Sequence, residues 1–185
     1  MRLLLIDNES SLLEKLENIL PKNTIVEKWD ALPAHYVGDE FDCVILSGSK
    51  NFSAVWNVND FANEIHMIQT TTTPLIGICF GCELITVAYG GTLTRLEHKT
   101  QGIKEIHIQN INTQKISSVR VYEGHHWVIN RIPPNFEVLA TSSDGPEIIK
   151  HTLHPIYGLQ FHPENFVEET EGDDIFLKIL SSLAS

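Results

Sequence analysis

The sequence predicts a three-layer α/β fold in which helices flank a mainly parallel central sheet, followed by a β-rich second half. Three observations lead to this expectation. Up to Gly90-Gly91, apolar runs of strand length alternate with amphipathic segments of helix length. Those runs are continuously apolar rather than alternating, as strands covered on both faces require. Beyond Gly91 the texture changes to short strand candidates separated by turns.

The elements follow in order. Arg2 to Ile6 reads as a buried strand ending at Asp7-Asn8. Leu12, Leu13, Leu16, Ile19 and Leu20 repeat at helical spacing, with Ser10 or Ser11 to cap the start and Pro21 to stop it. Thr24 to Trp29 and Phe41 to Leu46 are the next strands, the latter broken by Ser47-Gly48-Ser49. Asn59 or Asp60 opens a helix with Phe61, Ile65 and Ile68 on one face. Pro74 to Ile78 is a strand, followed by a helix carrying Leu84, Ile85, Val87 and Ala88. Six short strands are expected at 92–96, 103–108, 119–122, 136–140, 147–151 and 156–161. A final helix carries Ile175, Phe176, Ile179, Leu180 and Leu183. The architecture expected is flavodoxin-like.

At 185 residues, without repeat, low-complexity segment or linker, residues 1–185 read as one domain. Hydrophobic residues make up 42% and charged residues 20%, enough apolar side chain for a sizeable core. The net charge of -11 repels phosphate backbones, so no nucleic-acid partner is expected. No apolar run approaches the ~20 residues that span a bilayer. The run Leu3 to Ile6 is too short for a signal peptide, so no membrane contact and a cytoplasmic location are expected. Cys43, Cys79 and Cys82 are too few for a disulfide framework. No cofactor and no metal site are expected.

Gly77-Ile78-Cys79-Phe80-Gly81 lies between an apolar strand and an apolar helix, the thiol counterpart of a nucleophile elbow. Glycines permit a tight turn that exposes the central side chain, and N–H groups at the helix start favour a thiolate and a developing oxyanion. A buried structural cysteine is the alternative, as is a redox pair or half a zinc site in Cys79-x-x-Cys82. At that spacing a reversible disulfide is within reach. The second constellation is Gly158-Leu159-Gln160-Phe161-His162-Pro163-Glu164. Pro163 keeps His162 extended, and residues two apart share a side, so Glu164 can orient the imidazole. A solvated His-Pro-Glu turn is the bland reading. Taken together, the two constellations favour a Cys79-His162-Glu164 triad.

Gly-Ile-Cys-Phe-Gly followed by Gln-Phe-His-Pro-Glu resembles the class I (triad) glutamine amidotransferase family. The resemblance extends to Ile45-Leu46-Ser47-Gly48, Ala88-Tyr89-Gly90-Gly91 and the stretch from Pro133 to Glu164. Within the family it is most similar to the glutaminase subunits of two-subunit GMP synthases. It implies that Cys79 attacks the side-chain carbonyl of glutamine, forms a thioester and releases ammonia. His162 is then the general acid/base, Glu164 its orienting partner, and the backbone N–H groups of Ser49 and Phe80 the oxyanion hole. Gly48, Glu83, Gly124 and His125 are the implied substrate-binding positions.

The chain departs from the family in three places. Gly48-Ser49-Lys50 stands for Gly-Gly-Pro, Cys82-Glu83 for His-Gln, and Gly124-His125 for Ser-His. A carboxylate at Glu83 is expected to sit badly beside the substrate's carboxylate. Without a G-x-x-x-x-G-K-[ST] loop the chain has no phosphate cradle of its own. The implied partner is a separate ATP-pyrophosphatase or other amidating synthetase subunit that receives the ammonia. A standalone γ-glutamyl hydrolase and a non-catalytic regulatory subunit stand as alternatives.

Overall fold

The computed structural model describes residues 1–36, 38–109 and 116–183. Among them nine strands form one sheet: β1 (Leu3–Asp7), β2 (Ile25–Lys28), β3 (Cys43–Leu46), β4 (Leu75–Ile78), β5 (Thr92–Gln109), β6 (Ile116–Arg131), β7 (Phe136–Thr141), β8 (Pro146–His151) and β9 (Ile156–Leu159). Four α-helices accompany them: α1 (Leu13–Ile19), α2 (Ala62–Thr70), α3 (Phe80–Ala88) and α4 (Gly172–Ser182).

The strand order is β2-β1-β3-β4-β9-β8-β7-β5-β6. From β2 to β9 every pairing is parallel, and from β9 to β6 every pairing is antiparallel. The fold is therefore mixed α/β, and the β-rich second half extends the same sheet instead of forming a separate layer. That correction to "mainly parallel" has a simple cause. Three of the four antiparallel pairings, β5 with β6, β7 with β8 and β8 with β9, join strands successive in the chain, and strands joined by short connections pair antiparallel.

Alternation along the parallel strands divides the core. Leu3 and Leu5 face one side with Leu16 of α1, Leu20 just after it, and Phe176 and Leu180 of α4. Leu4 and Ile6 face the other with Met67 and Ile68 of α2 and Leu84 and Ile85 of α3. Residues two apart on a strand share a face, so continuous apolar runs are what two covered faces require.

The strands at 92–96 and 103–108 are one strand, β5, with its register against β6 shifting between Arg95 and Thr100. The strand at 119–122 runs on to Arg131, so Gly124 and His125 lie mid-strand instead of in a turn. Val121, Glu123 and His125 are buried in alternation there, a strand period that the polar residue types hide in the sequence.

The antiparallel end curls back. His162 N–H donates to the Tyr122 carbonyl at 2.8 Å, which joins the segment after β9 to β6 across three intervening strands. All described helices are shorter than a bilayer crossing requires.

Glu64 of α2 is buried beneath the strand ends, with Oε1 accepting from Asn8 Nδ2 at 3.1 Å and Oε2 unpartnered. Burial pushes its carboxyl up to about 8, and the Asn8 bond opposes this. A folded-state value above the unfolded one means that the native chain holds the extra proton between about pH 4.5 and 8. Its stabilising share is complete below the unfolded value and is lost as pH rises through that window. Glu64→Gln keeps an acceptor for Asn8 and removes the titration. Denaturant unfolding should give the variant a stability–pH slope shallower by about 1.4 kcal/mol per pH unit between about pH 5 and 7.5. An unchanged slope means that Glu64 is ionised in the fold.

Candidate active site

Parallel pairing builds the site from the carboxyl ends of β1, β3, β4 and β9. Leu46 pairs with Gly77, and Gly77 with Gly158, so the chain emerges from these strands side by side. Residues 83 apart in sequence, Cys79 and His162, meet there, as ligands and reacting groups do at strand ends of open α/β sheets.

Cys79 has φ 49° and ψ -102°, a left-handed conformation that is costly for a residue with a side chain. Close packing imposes it. A Cβ on Gly77 would stand 2.5 Å from the Gly81 backbone, and one on Gly81 would stand 2.6 Å from the Leu46 carbonyl oxygen. Only glycine lets α3 start this close to β3 and β4. Phe80 anchors the elbow from the other side, its ring 4.9 Å from that of Phe61.

His162 Nδ1 lies 2.9 Å from Glu164 Oε1, both side chains buried. That contact leaves Nε2 for the Cys79 side. Burial lowers the His162 imidazolium, but the charges of Cys79 and Glu164 override it and raise the group well above the histidine range. Burial pushes the Cys79 thiol up, and His162 draws it back only in part. The sequence expectation of a thiol lowered by helix N–H groups is thus reversed by burial. The two groups titrate as a pair. For His162 the direction is upward, from the Cys79 and Glu164 groups that face its ring.

Gly48 packs against the ring: a Cβ there would be 2.9 Å from His162 Cε1 and 3.6 Å from Cys79 Cβ. The Ser47-Gly48-Ser49 turn is held by Ser47 itself together with Asn8 and Glu64, which have no site role in the sequence motifs. Ser47 Oγ donates to the Gly48 carbonyl at 2.9 Å and accepts from Asn8 N–H at 2.8 Å. Asn8 Nδ2 donates to the Ser47 carbonyl at 3.3 Å and to Glu64. A peptide plane carries C=O and N–H in opposite directions, so fixing the Gly48 carbonyl fixes the Ser49 N–H. Phe80 lies in the first turn of α3, whose N–H groups have no intrahelical acceptor.

A pocket of about 360 Å³ opens over Cys79, Glu83 and His162. Glu83 is buried in its wall, and burial pushes its carboxyl up to about 8, against the pull of Gln160 and the Ala54 backbone. Its burial thus favours the uncharged acid over the carboxylate that its residue type suggests. Gly124 backs the His162 ring, its Cβ position 3.4 Å from Cδ2. His125 reaches the pocket wall but is buried, with Nε2 2.8 Å from Glu123 Oε2. The mouth carries Arg95 over Trp56 at 5.9 Å, with Trp56 edge-on to Trp127 at 5.3 Å. Cys82 points into the core between Ile129 and Ile149, against Gly158. Burial raises its thiol well above the usual range, which suits packing rather than thiol exchange.

The sequence profile of the family glutamine amidotransferase class-I matches residues 4–181. A glutamine-hydrolysing GMP synthase subunit of Pyrococcus abyssi is 42% identical over 148 residues, covering 76% of each chain. Its counterpart in Methanococcus maripaludis is 35% identical over 164 residues, covering 86% of this chain and 79% of that one. The crystal structure of a putative GMP synthase subunit from Thermoplasma acidophilum superposes with a TM-score of 0.83 at 24% identity, covering 100% of this chain and 94% of that one. A glutamine amidotransferase from Thermotoga maritima gives 0.70 at 19% identity, covering 96% and 85%. These two likenesses concern the fold. On the profile and the sequence identities, the chain belongs to the class I glutamine amidotransferase family and resembles the glutamine-hydrolysing subunits of GMP synthases.

Proposed function

We propose that the chain hydrolyses the side-chain amide of glutamine through a Cys79 thioester and passes the ammonia to a synthetase subunit, with residues 1–185 acting as one cytoplasmic domain. The observation that carries this reading is the strained Cys79 elbow facing a His162 ring whose other nitrogen is held by Glu164 at 2.9 Å. Strain of that kind persists where the surrounding structure enforces it, and packing alone gives no use for it.

In this mechanism Cys79 and His162 share one proton, which rests on His162 Nε2 as sulfur attacks the amide carbon. The N–H groups of Ser49 and Phe80 hold the oxyanion. Collapse expels ammonia, protonated by His162, and leaves the thioester. Water, deprotonated by the same imidazole, then attacks the thioester and releases glutamate. Glu164 keeps the ring in the tautomer with Nδ1 protonated and supports the imidazolium. The relatives in Pyrococcus abyssi and Methanococcus maripaludis are glutamine-hydrolysing subunits of GMP synthases, which supports a synthetase partner for this chain too. A standalone γ-glutamyl hydrolase draws its appeal from a charge at position 83, and a neutral Glu83 removes that reason. Its hydroxyl can donate to the substrate carboxylate much as the family's glutamine amide does.

Ammonia release from glutamine, measured with and without an ATP-pyrophosphatase subunit, tests the reading. Cys79→Ala should abolish release while the circular dichroism stays unchanged. His162→Ala should be nearly as severe and Glu164→Ala milder, since the three act as a unit. Near-normal release by Cys79→Ala would refute the thioester route.

Ser47→Ala frees the Gly48 peptide and leaves the buried Asn8 N–H without its acceptor. We expect kcat to fall by roughly tenfold to a hundredfold with KM nearly unchanged, the pattern of a weakened oxyanion donor. Stability should fall by ~1–3 kcal/mol in denaturant titration. An unchanged kcat with the same loss of stability would leave Ser47 a purely structural residue.

Glu83 gives a pH signature. Below about 8 it is neutral and donates; above, it is charged and repels the substrate carboxylate. Loss of a charge-assisted hydrogen bond, ~1.5–3 kcal/mol, should raise KM for glutamine roughly tenfold to a hundredfold between about pH 7 and 9.5. Glu83→Gln should have a near-wild-type KM at about pH 7 and no rise above it. A KM in the wild type that is flat across this range would show that Glu83 does not touch the substrate.

A further inference from the structure

We propose that Glu123, His125 and Glu147 form a structural site for a first-row divalent cation, tying β6 to β8 behind His162. Each side chain offers one ligand atom, and the three atoms lie within 4.8 Å of one another. The residues are 1%, 3% and 1% exposed, so bulk water does not satisfy them.

What marks the cluster as a site is its unmet bonding. Both oxygens of Glu123, both ring nitrogens of His125 and Oε2 of Glu147 have no hydrogen-bond partner. The Glu123–His125 approach of 2.8 Å is a contact without hydrogen-bond alignment. Among the described residues no lysine or arginine forms an ion pair with either carboxylate. Buried polar groups are almost always paired, and buried charges are paired or coordinate metals. Two carboxylates and an imidazole bring two negative charges and suit zinc or manganese better than the softer thiolate-bound metals. The second oxygen of Glu147 accepts from Ser142 Oγ at 2.6 Å, the kind of outer contact that orients a metal-bound carboxylate. A groove of about 500 Å³ reaches Glu123, Ser142 and Asp144 from outside and provides the way in.

The ligands come from strands that are not neighbours in the sheet, since β7 and β5 lie between β8 and β6. A cation here therefore fastens the curl of the sheet. Gly124, between the two β6 ligands, backs the His162 ring, and Tyr122, next to Glu123, accepts its N–H. The site would hold the wall that fixes the imidazole without touching substrate.

The test is zinc binding by calorimetry to the full chain in a Cys79→Ala background, which removes the pocket-lining thiol beside His162 as a competing ligand. One zinc per chain should bind, and Glu147→Gln and Glu123→Gln should each weaken it by about a hundredfold or more, since even outer-shell losses cost about 10–100-fold. Absence of binding overturns the proposal and leaves the cluster a proton-sharing carboxyl pair. Binding that survives both substitutions also overturns it and points to the exposed His35–His66 pair. Should the variants not fold, zinc-dependent hydrogen exchange in the Cys79→Ala chain decides: protection at 123–125 and 147–149 supports the site, and protection elsewhere refutes it.

Discussion

The close approach of α3 to β4 and β9 is the constraint on which the rest of the site depends. Gly77 and Gly158 stand opposite each other in register. The first admits the Gly81 backbone at a distance no Cβ tolerates, and the second leaves room for Cys82 Sγ, 2.6 Å from where its own Cβ would be. With both gaps filled, the chain between Ile78 and Phe80 has one route, and it runs through a left-handed Cys79. Side-chain direction at Cys79 is thus set by backbone packing of the residues on either side of it. Lengthening any of these contacts by a methyl group would let the elbow relax and turn the thiol from His162.

The electrostatics have an unusual distribution. The sequence charge of -11 counts every carboxyl as ionised. Burial raises Glu64 and Glu83 to about 8, Glu123 to about 7 and Glu147 well above the usual range. All four border the strand ends that carry Cys79 and His162. The region around the candidate site is consequently less negative at neutral pH than the composition suggests, while Arg95 and Lys99 line its mouth. An anionic group on a substrate meets the raised carboxyl of Glu83 and the cations Arg95 and Lys99 there, although the surface at large is acidic. Carboxyls in place of amides make that balance depend on pH in a way that a glutamine would not.

The geometry of the proposed Cys79-His162-Glu164 triad is legible in the sequence because it is local. Gly-x-Cys-x-Gly after an apolar strand specifies a turn, and His-Pro-Glu places two side chains on one side of an extended segment. The parallel half is legible for the same reason, since covered strands such as Leu3 to Ile6 cannot be polar on either face. The Ser47–Asn8–Glu64 network is not, because it joins residues 39 and 56 apart through strand pairing that no local pattern announces. The continuation of β6 through Glu123, Gly124 and His125 is hidden differently. Its buried positions carry acid and imidazole instead of apolar side chains, so the period of two is present in burial and absent in hydropathy. Glu83 misleads because residue type assigns it a charge, whereas helix α3 buries it against Gln160 and the Ala54 backbone.

His162 is confined on every side that the structure describes. Glu164 holds Nδ1, the Tyr122 carbonyl holds the backbone N–H, Gly48 closes on Cε1, and Gly124 lies against Cδ2. Ring rotation would break the Glu164 bond and drive carbon edges into two backbones, so the imidazole keeps one orientation. A group so confined needs little reorganisation when a proton arrives, which favours transfer from a neighbouring thiol. It also means that the position of the ring follows from β3, β6 and β9 together. Motion that separates β6 from β9 would loosen the imidazole while leaving the Cys79 elbow, built from β3, β4 and α3, intact. The two halves of the candidate site are therefore held by different parts of the sheet, and a change in the antiparallel half can move the imidazole without disturbing the thiol.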